Sequence, residues 1–103
     1  MAQFVPATSH RVAALIAPGL EEVEALAVVD LLYRAGVRTD MIAVGPQVQV
    51  VSSHGITLTC DHVLDQVDLA DYDLLFLPGG IPGTPNLDAC EPLMAEVEAR
   101  VRA

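Results

Sequence analysis

The sequence has few basic residues and few aromatic ones, and it lacks a long apolar run. Lysine and arginine together number 5 against 14 aspartate and glutamate residues, which gives a net charge of −9. This charge disfavours binding to nucleic acid or to an anionic membrane, because both prefer a basic surface. No apolar run approaches the roughly 18 residues that suggest a membrane-spanning helix. We therefore expect neither a nucleic-acid nor a membrane partner, while a small neutral or carbonyl substrate stays open.

Cysteine is also scarce. The two cysteines, Cys60 and Cys90, provide neither a disulfide framework nor metal-ligand spacing. The histidines His10, His54 and His62 are each isolated from acids and cysteines in the sequence, so no metal site is expected among them. Residues 1–10 contain no lysine or arginine and are interrupted by a proline, so they do not resemble a signal peptide. These features predict a cytoplasmic protein without a metal site.

Apolar residues make up 52% of the sequence and are mostly valine, leucine and alanine, which suits parallel strands covered by helices. Residues 1–10 are interpreted as a tail and residues 11–103 as part of a single domain. The pattern predicts strands at 11–17, 37–44 and 72–77, a helix ending at residue 34, and a hairpin of 48–52 with 56–60. A helical turn is predicted at 63–67, and a loop at 79–86 before a last helix whose apolar stripe is Leu93, Val97 and Val101.

This order of elements predicts an α/β fold, a flavodoxin-like sandwich with a right-handed, doubly wound parallel sheet. The last helix should lead into another parallel strand, so we expect the fold to be incomplete and to lack its C-terminal strands and helices. In that arrangement the strand at 72–77 has one open edge, apolar on both faces. Such an edge is an aggregation hazard unless something else covers it.

The run of four apolar residues at 74–77, followed by Pro78-Gly79-Gly80, predicts a buried strand that opens into a backbone-lined pocket. Backbone amides of paired glycines can hold a negatively charged oxygen, and loops at strand C-termini form the binding crevice in this architecture. The alternative is a tight loop at a strand end. Because an oxyanion pocket needs a nucleophile, and none is evident in residues 81–103, we expect the front half of an active site.

Glu24 is the strongest candidate for a catalytic side chain. It lies one turn into the first helix, near an apolar stripe that includes Val23 and Leu26, whereas Glu21 and Glu22 are expected to face water. Burial beside that stripe would favour a protonated carboxyl, which could donate a hydrogen bond at neutral pH. The alternative is an exposed acid in the first turn, favoured by the helix dipole.

The sequence resembles the N-terminal half of the ThiJ/PfpI superfamily, in its YajL-like branch. The resemblance covers nearly all of residues 11–103. It rests on residues 17–24 (APGLEEVE), on residues 30–36 (DLLYRAG), and on Tyr72-Asp73 leading into residues 77–80 (LPGG). Asn86-Leu87 before the last helix also fits. These segments occur in the same order and at the same spacing, so together they are specific.

The resemblance implies a flavodoxin-like sandwich that forms a homodimer, with the first helix at or near the interface. In the family, a glutamate matching Glu24 hydrogen-bonds the sulfur of a reactive cysteine on a strained strand-to-helix elbow. Glycines matching Gly79 and Gly80 supply backbone amides beside it. Glu21 and Arg34 match positions near the site or the dimer contact.

The reactive cysteine and its elbow would lie beyond residue 103, and neither Cys60 nor Cys90 matches them. Cys60 matches a peripheral cysteine near the dimer surface. The expected partners are therefore the C-terminal remainder of the domain, on the same gene or a second chain, and a second copy.

For function, the resemblance implies a cofactor-free, cysteine-dependent enzyme of the glyoxalase or deglycase type, acting on methylglyoxal or its adducts. The alternative is a redox sensor or chaperone that uses the same cysteine. Residues 1–103 by themselves are expected to be inactive.

Overall fold

The structure is a computed structural model that describes residues 4–102. Its strands and helices follow the chain in the order expected for an α/β fold. Two 3₁₀ turns are formed by Leu64–Gln66 and Leu69–Asp71. The strands are β1 Arg11–Ile16, β2 Arg38–Ala43, β3 Gln49–Val51, β4 Thr57–Thr59, β5 His62–Val63 and β6 Leu74–Phe76, and the helices are α1 Glu22–Arg34, α2 Gly83–Asp88 and α3 Glu91–Arg102.

Four strands form a parallel sheet in the order β5-β2-β1-β6, and β3 pairs with β4 as a separate antiparallel hairpin. This confirms the mixed α/β fold with a parallel sheet. In the described part of the chain β6 is an edge strand, since it pairs with β1 alone. The open edge expected beside residues 72–77 is therefore present.

Strand β1 lies between two other strands, and it is apolar from Val12 to Ile16 because both of its faces are covered. Ala13 and Leu15 face one side of the sheet, and Ala14 and Ile16 face the other. The first side packs against residues of α2 and α3, the second against α1 and the hairpin. Because successive side chains point to opposite faces, this one strand contributes to a hydrophobic core on each side of the sheet.

Three of the predicted elements need correction. Helix α2, Gly83–Asp88, occupies part of the predicted loop at 79–86. Its Pro85 is tolerated because the first backbone N–H groups of a helix have no intrahelical partner. The helical turn predicted at 63–67 is confirmed at Leu64–Gln66, but Val63 belongs to the short strand β5, which pairs with β2. The strand predicted at 72–77 is confined to β6.

The apolar stripe predicted for α3 is confirmed only in part. Leu93 is fully buried and Val97 is half-buried, but Val101 is 80% exposed. Val97 and Val101 instead line an open groove of about 460 Å³ beside β6, together with Leu74 and Leu75. The apolar face of α3 therefore continues past the sheet edge that β6 leaves open.

Arg100 ties α3 to the segment that leads into β6. Its guanidinium donates to the carbonyl oxygens of Leu69, Tyr72 and Asp73, and its Nε lies 2.9 Å from the Glu96 carboxylate. These carbonyls therefore have donors although they belong to no regular ladder. Between residues 4 and 102, no helix combines the length and the apolar character needed to cross a membrane.

Candidate functional site

The candidate site lies where β1 and β6 end, because the loops that follow these adjacent strands meet there. Glu24, in the first turn of α1, accepts a hydrogen bond from the Gly79 backbone N–H at 2.9 Å through its Oε1 atom. The structure thus brings together Glu24 and Gly79, which are 55 residues apart in the sequence. This is the pairing expected if both belong to one site.

The side chain of Glu24 is exposed in this chain, which corrects the expectation that it lies against an apolar stripe. The inward-facing residues of the first turns of α1 are Glu22 and Ala25, whereas Val23 is 69% exposed. The helix is therefore rotated relative to the expected orientation. Ala25 packs in the core beneath β1, and Glu24 turns toward the loop that follows β6.

Backbone contacts hold the two loops in place. The Glu21 N–H donates to the Gly79 carbonyl at 2.9 Å, and the Gly83 N–H donates to the Gly19 carbonyl at 3.0 Å. The Asn86 side chain donates to the Pro18 carbonyl at 2.7 Å. The position of Glu24 relative to Gly79 is consequently set by main-chain hydrogen bonds on both sides of the site.

The two glycines have different roles in this contact. Gly80 has a φ of +110°, and a Cβ atom there would lie 2.5 Å from the Glu21 backbone nitrogen. A Cβ on Gly79 would lie 3.3 Å from the Glu24 Oε2 atom. Gly80 is therefore required by the backbone, whereas Gly79 makes room for the carboxylate.

The expectation that both glycines offer amides to a bound oxygen needs refinement. The Gly79 N–H is engaged by Glu24. Within residues 4–102 the Gly80 N–H has no hydrogen-bond acceptor. The contact with Glu24 therefore uses the Gly79 amide and leaves the Gly80 amide out.

Glu21 and Arg34 are placed at opposite ends of α1. Glu21 is the N-cap, and its carboxylate accepts from the Val23 N–H at 2.8 Å. Arg34, in the last turn, lies 3.0 Å from Asp30 in an exposed ion pair. Because a helix rises about 1.5 Å per residue, Arg34 is about 15 Å along the axis from Glu24. Within this chain Glu21 adjoins the site and Arg34 does not.

Glu22 and His54 form a pair that the sequence reasoning missed. Glu22 is only 3% exposed, although it was expected to face water, and its carboxylate accepts a hydrogen bond from Ser52 Oγ at 3.1 Å. The Nδ1 atom of His54 lies 2.8 and 2.7 Å from the two Glu22 oxygens, so His54 is not isolated. The i, i+3 spacing of Glu22 and Ala25 allows both to share the inward face, but the same spacing relates Val23 and Leu26, so spacing alone does not decide between them.

This contact shifts the titration of both groups. The hydrogen bond to His54 lowers the pKa of Glu22 to about 2, and the same bond, with the Glu22 charge, raises the pKa of His54. Donor atoms of Glu21, Glu22 and His54 lie within 4.8 Å of one another. Since the imidazole is at hydrogen-bond distance from both Glu22 oxygens and Glu21 caps the helix, we assign an ion pair here and no metal centre.

The cysteines lie in the cores on opposite faces of the sheet. Cys60 is buried among residues that cover the α1 side, and burial, together with the nearby Asp61 charge, raises the pKa of its thiol to about 11. Cys90 is half-buried beside Leu87 and Leu93 on the other side. A buried thiol of raised pKa is a small apolar side chain rather than a nucleophile. The interpretation of Cys60 as non-catalytic fits this environment.

Comparison with known proteins gives consistent matches. The sequence model of the DJ-1/PfpI family matches residues 10–102. Protein DJ-1 homolog B of Arabidopsis thaliana is 39% identical over 79 residues, which are 77% of this chain and 18% of that protein. A mutant of a DJ-1 superfamily protein from Salmonella typhimurium superposes with a TM-score of 0.83 at 37% identity, over 87% of this chain and 49% of that one.

A further solved structure, described as oxidized DJ-1 of Toxoplasma gondii, superposes with a TM-score of 0.84 at 28% identity. That match covers 88% of this chain and 50% of the other. The chain therefore spans about half the length of these solved relatives and 18% of the Arabidopsis protein.

Proposed function

Because this chain belongs to the DJ-1/PfpI family, we propose that it forms the N-terminal part of a cysteine-dependent, cofactor-free enzyme. The reaction is of the glyoxalase or deglycase type, on small reactive carbonyls such as methylglyoxal or on their adducts. The observation that carries the proposal is the 2.9 Å hydrogen bond from the Gly79 amide to Glu24, beside the Gly80 amide. A carboxyl group and a backbone donor at the ends of adjacent parallel strands suit acyl and carbonyl chemistry.

In the proposed reaction, a cysteine thiolate from the remainder of the domain attacks the carbonyl carbon. The C–S bond forms, the carbonyl π electrons move to the oxygen, and the Gly80 N–H stabilises the oxyanion. Glu24, which takes up the proton that the cysteine thiol loses, then transfers this proton to the oxygen. Its Oε1 atom accepts from Gly79, which leaves Oε2 to carry the proton.

The test is the substitution Glu24→Gln in the complete protein. We expect turnover of methylglyoxal to fall about 100-fold or more, since positioned general acids typically contribute that much. The pKa of the reactive thiol should rise, because Glu24 no longer holds it in the same network. Glu21→Gln is the matched control, as it removes a carboxylate on the same turn that caps the helix. Unchanged turnover and an unchanged thiol pKa in Glu24→Gln would contradict the assignment.

A redox-sensing or chaperone function of the same site is the second candidate. It is supported by the relative from Toxoplasma gondii, whose structure is described as oxidized. In this reading the cysteine is oxidised by peroxide to a sulfinate, and Glu24 stabilises that state. Peroxide titration with intact mass measurement separates the two functions, because a sensor gains two oxygen atoms stoichiometrically while showing little carbonyl turnover.

The proposal includes two partners and a cytoplasmic location. The remainder of the domain would cover the groove beside β6, and a second copy would pack near α1. Exposed apolar side chains on α1, Val23 and Leu31, support such a contact. Replacing Leu31 with aspartate should shift the protein toward monomer in light scattering, and an unchanged mass would argue against an interface at α1.

A further inference from the structure

The pair formed by Glu22 and His54 has no part in the proposed reaction, yet the buried Glu22 carboxylate is hydrogen-bonded to both Ser52 and His54. Glu22 is buried at the first position of α1, whereas the His54 side chain, at the tip of the β3–β4 hairpin, is 62% exposed. Ser52 Oγ donates to Glu22 and also accepts from the backbone N–H groups of His54 and Ile56 at 3.3 and 3.1 Å. One buried carboxylate thus organises the hairpin turn.

Main-chain bonds join the hairpin tip to the segment that begins α1. The Ser53 N–H donates to the Leu20 carbonyl at 2.8 Å, and the Gly19 N–H donates to the Val51 carbonyl at 2.9 Å. The tip is therefore held against residues 19–22 by both backbone and side-chain contacts. A movement of the tip would displace the first turn of the helix.

The same first turn carries the candidate site. The Glu21 N–H donates to the Gly79 carbonyl, and Glu24 accepts from the Gly79 N–H. Glu22 lies between these two residues in the sequence. His54 is therefore connected to Gly79 by hydrogen bonds at each end and by the covalent backbone of residues 21–24 between them.

The net charge around the first turn of α1 depends on whether His54 is protonated. The titratable groups that face the imidazole are Glu22, at hydrogen-bond distance, and Glu21, which acts through its charge. When the imidazole is protonated, its single positive charge offsets the negative charge of Glu22, in a helix turn that also carries acidic side chains at positions 21 and 24. When it is neutral, it can still donate one hydrogen bond, but the buried Glu22 loses its counter-charge and the repulsion among the acids is no longer offset.

We propose that His54 is a pH-sensitive positioning residue: its charge, acting through Glu22, sets how firmly the first turn of α1 presents Glu24 to the Gly79 amide. This inference rests on the proposed function only for what Glu24 does with a substrate. The geometry between His54 and Gly79 belongs to the described chain. Loss of the charge loosens the hairpin tip and lengthens the bond between Glu24 and Gly79.

The test follows backbone amides of the ¹⁵N-labelled protein by NMR from about pH 5 to about pH 9. We expect the Gly79 and Ser53 amides to shift together, with a midpoint above 6.5, the ordinary pKa of histidine, and equal to the midpoint of the His54 ring. Two variants should abolish this common step. His54→Gln removes the charge, and His54→Arg makes it permanent and should leave the Gly79 amide near its low-pH position.

His62→Gln is the matched control, because His62 is exposed on β5 and its removal should leave the step intact. A Gly79 step that persists in His54→Gln would overturn the proposal. So would a step confined to Ser53, since the hairpin would then respond without reaching the site. Because these measurements use no substrate, they remain informative even if Glu24→Gln leaves carbonyl turnover unchanged.

Discussion

Replacing Gly80 with alanine should destabilise the protein through two separate effects. The backbone at Gly80 has a φ of +110°, a conformation that costs a residue with a Cβ about 1–3 kcal/mol. The added Cβ would also lie 2.5 Å from the Glu21 nitrogen and 3.0 Å from the Leu20 carbonyl carbon. These are backbone atoms that cannot rotate away, and overpacking of this kind costs about 1–3 kcal/mol. Reduced entropy of the unfolded chain offsets about 0.4–1 kcal/mol, which leaves a net loss of about 1–5 kcal/mol.

Two other glycines separate these effects. Gly55 has a φ of +76°, but a Cβ there would meet no described atom within 4 Å, so Gly55→Ala reports the backbone conformation alone and should cost about 1 kcal/mol. Gly79→Ala reports contact alone, against the tip of Glu24, and should change stability by less than about 1 kcal/mol.

Urea denaturation followed by far-UV circular dichroism measures all three free energies of unfolding. We expect Gly80→Ala to be the most destabilised of the three variants. A loss no larger than that of Gly55→Ala would show that the loops after β1 and β6 do not approach as closely as described.

Two further results are expected. The pKa of His54 is raised above its ordinary value of 6.5, and that of Glu22 is lowered from 4.5 to about 2. The pair therefore stabilises the fold fully between pH 4.5 and pH 6.5. That stabilisation should decline as pH rises through the raised pKa of His54 and as pH falls toward 2; urea denaturation at about pH 6 and about pH 9 should show the alkaline decline in the native protein and not in His54→Gln. Cys60, with a pKa of about 11, is about one part in a thousand thiolate at pH 8. Iodoacetamide should therefore label Cys90 well before Cys60 in peptide mass spectrometry, and equal labelling would show that Cys60 is not buried.

The parallel strands β1, β2 and β6 were predictable because apolar runs and glycine-proline breaks report burial and turns directly, whereas β5 was not predicted. Strand β1 is apolar at every position from Val12 to Ile16, as a strand covered on both faces must be. Helix α1 ends at Arg34 as predicted, since Ala35-Gly36 supplies the C-terminal signal. Helix α2 was missed because Pro82, Gly83 and Pro85 are typical of loops, and the contacts that make it helical come from residues 17–20.

The residues of the site were predictable from the sequence, but their burial and their contacts were predictable only in part. The pairing of Glu24 with Gly79 follows from parallel strands that end at one edge. The rotation of α1 does not, because three acids and several apolar residues in the first turns allow more than one inward face. The inward face of α1 is set by the contact of Glu22 with Ser52 and His54 on the hairpin. Ser52 is 30 residues away from Glu22 in the sequence. No local pattern in the sequence reports such a distant contact.

The hydrogen bonds between the loops after β1 and β6 also bear on how the molecule folds. The Asn86 side chain meets the Pro18 carbonyl across 68 residues, and Glu24 meets Gly79 across 55. Closing a loop of that length loses chain entropy before any of these bonds can form. The hairpin and α1, which are local, can assemble early, whereas the site waits for β6 to join β1. A trapped intermediate that lacks β6 would thus contain most of the secondary structure and none of the site.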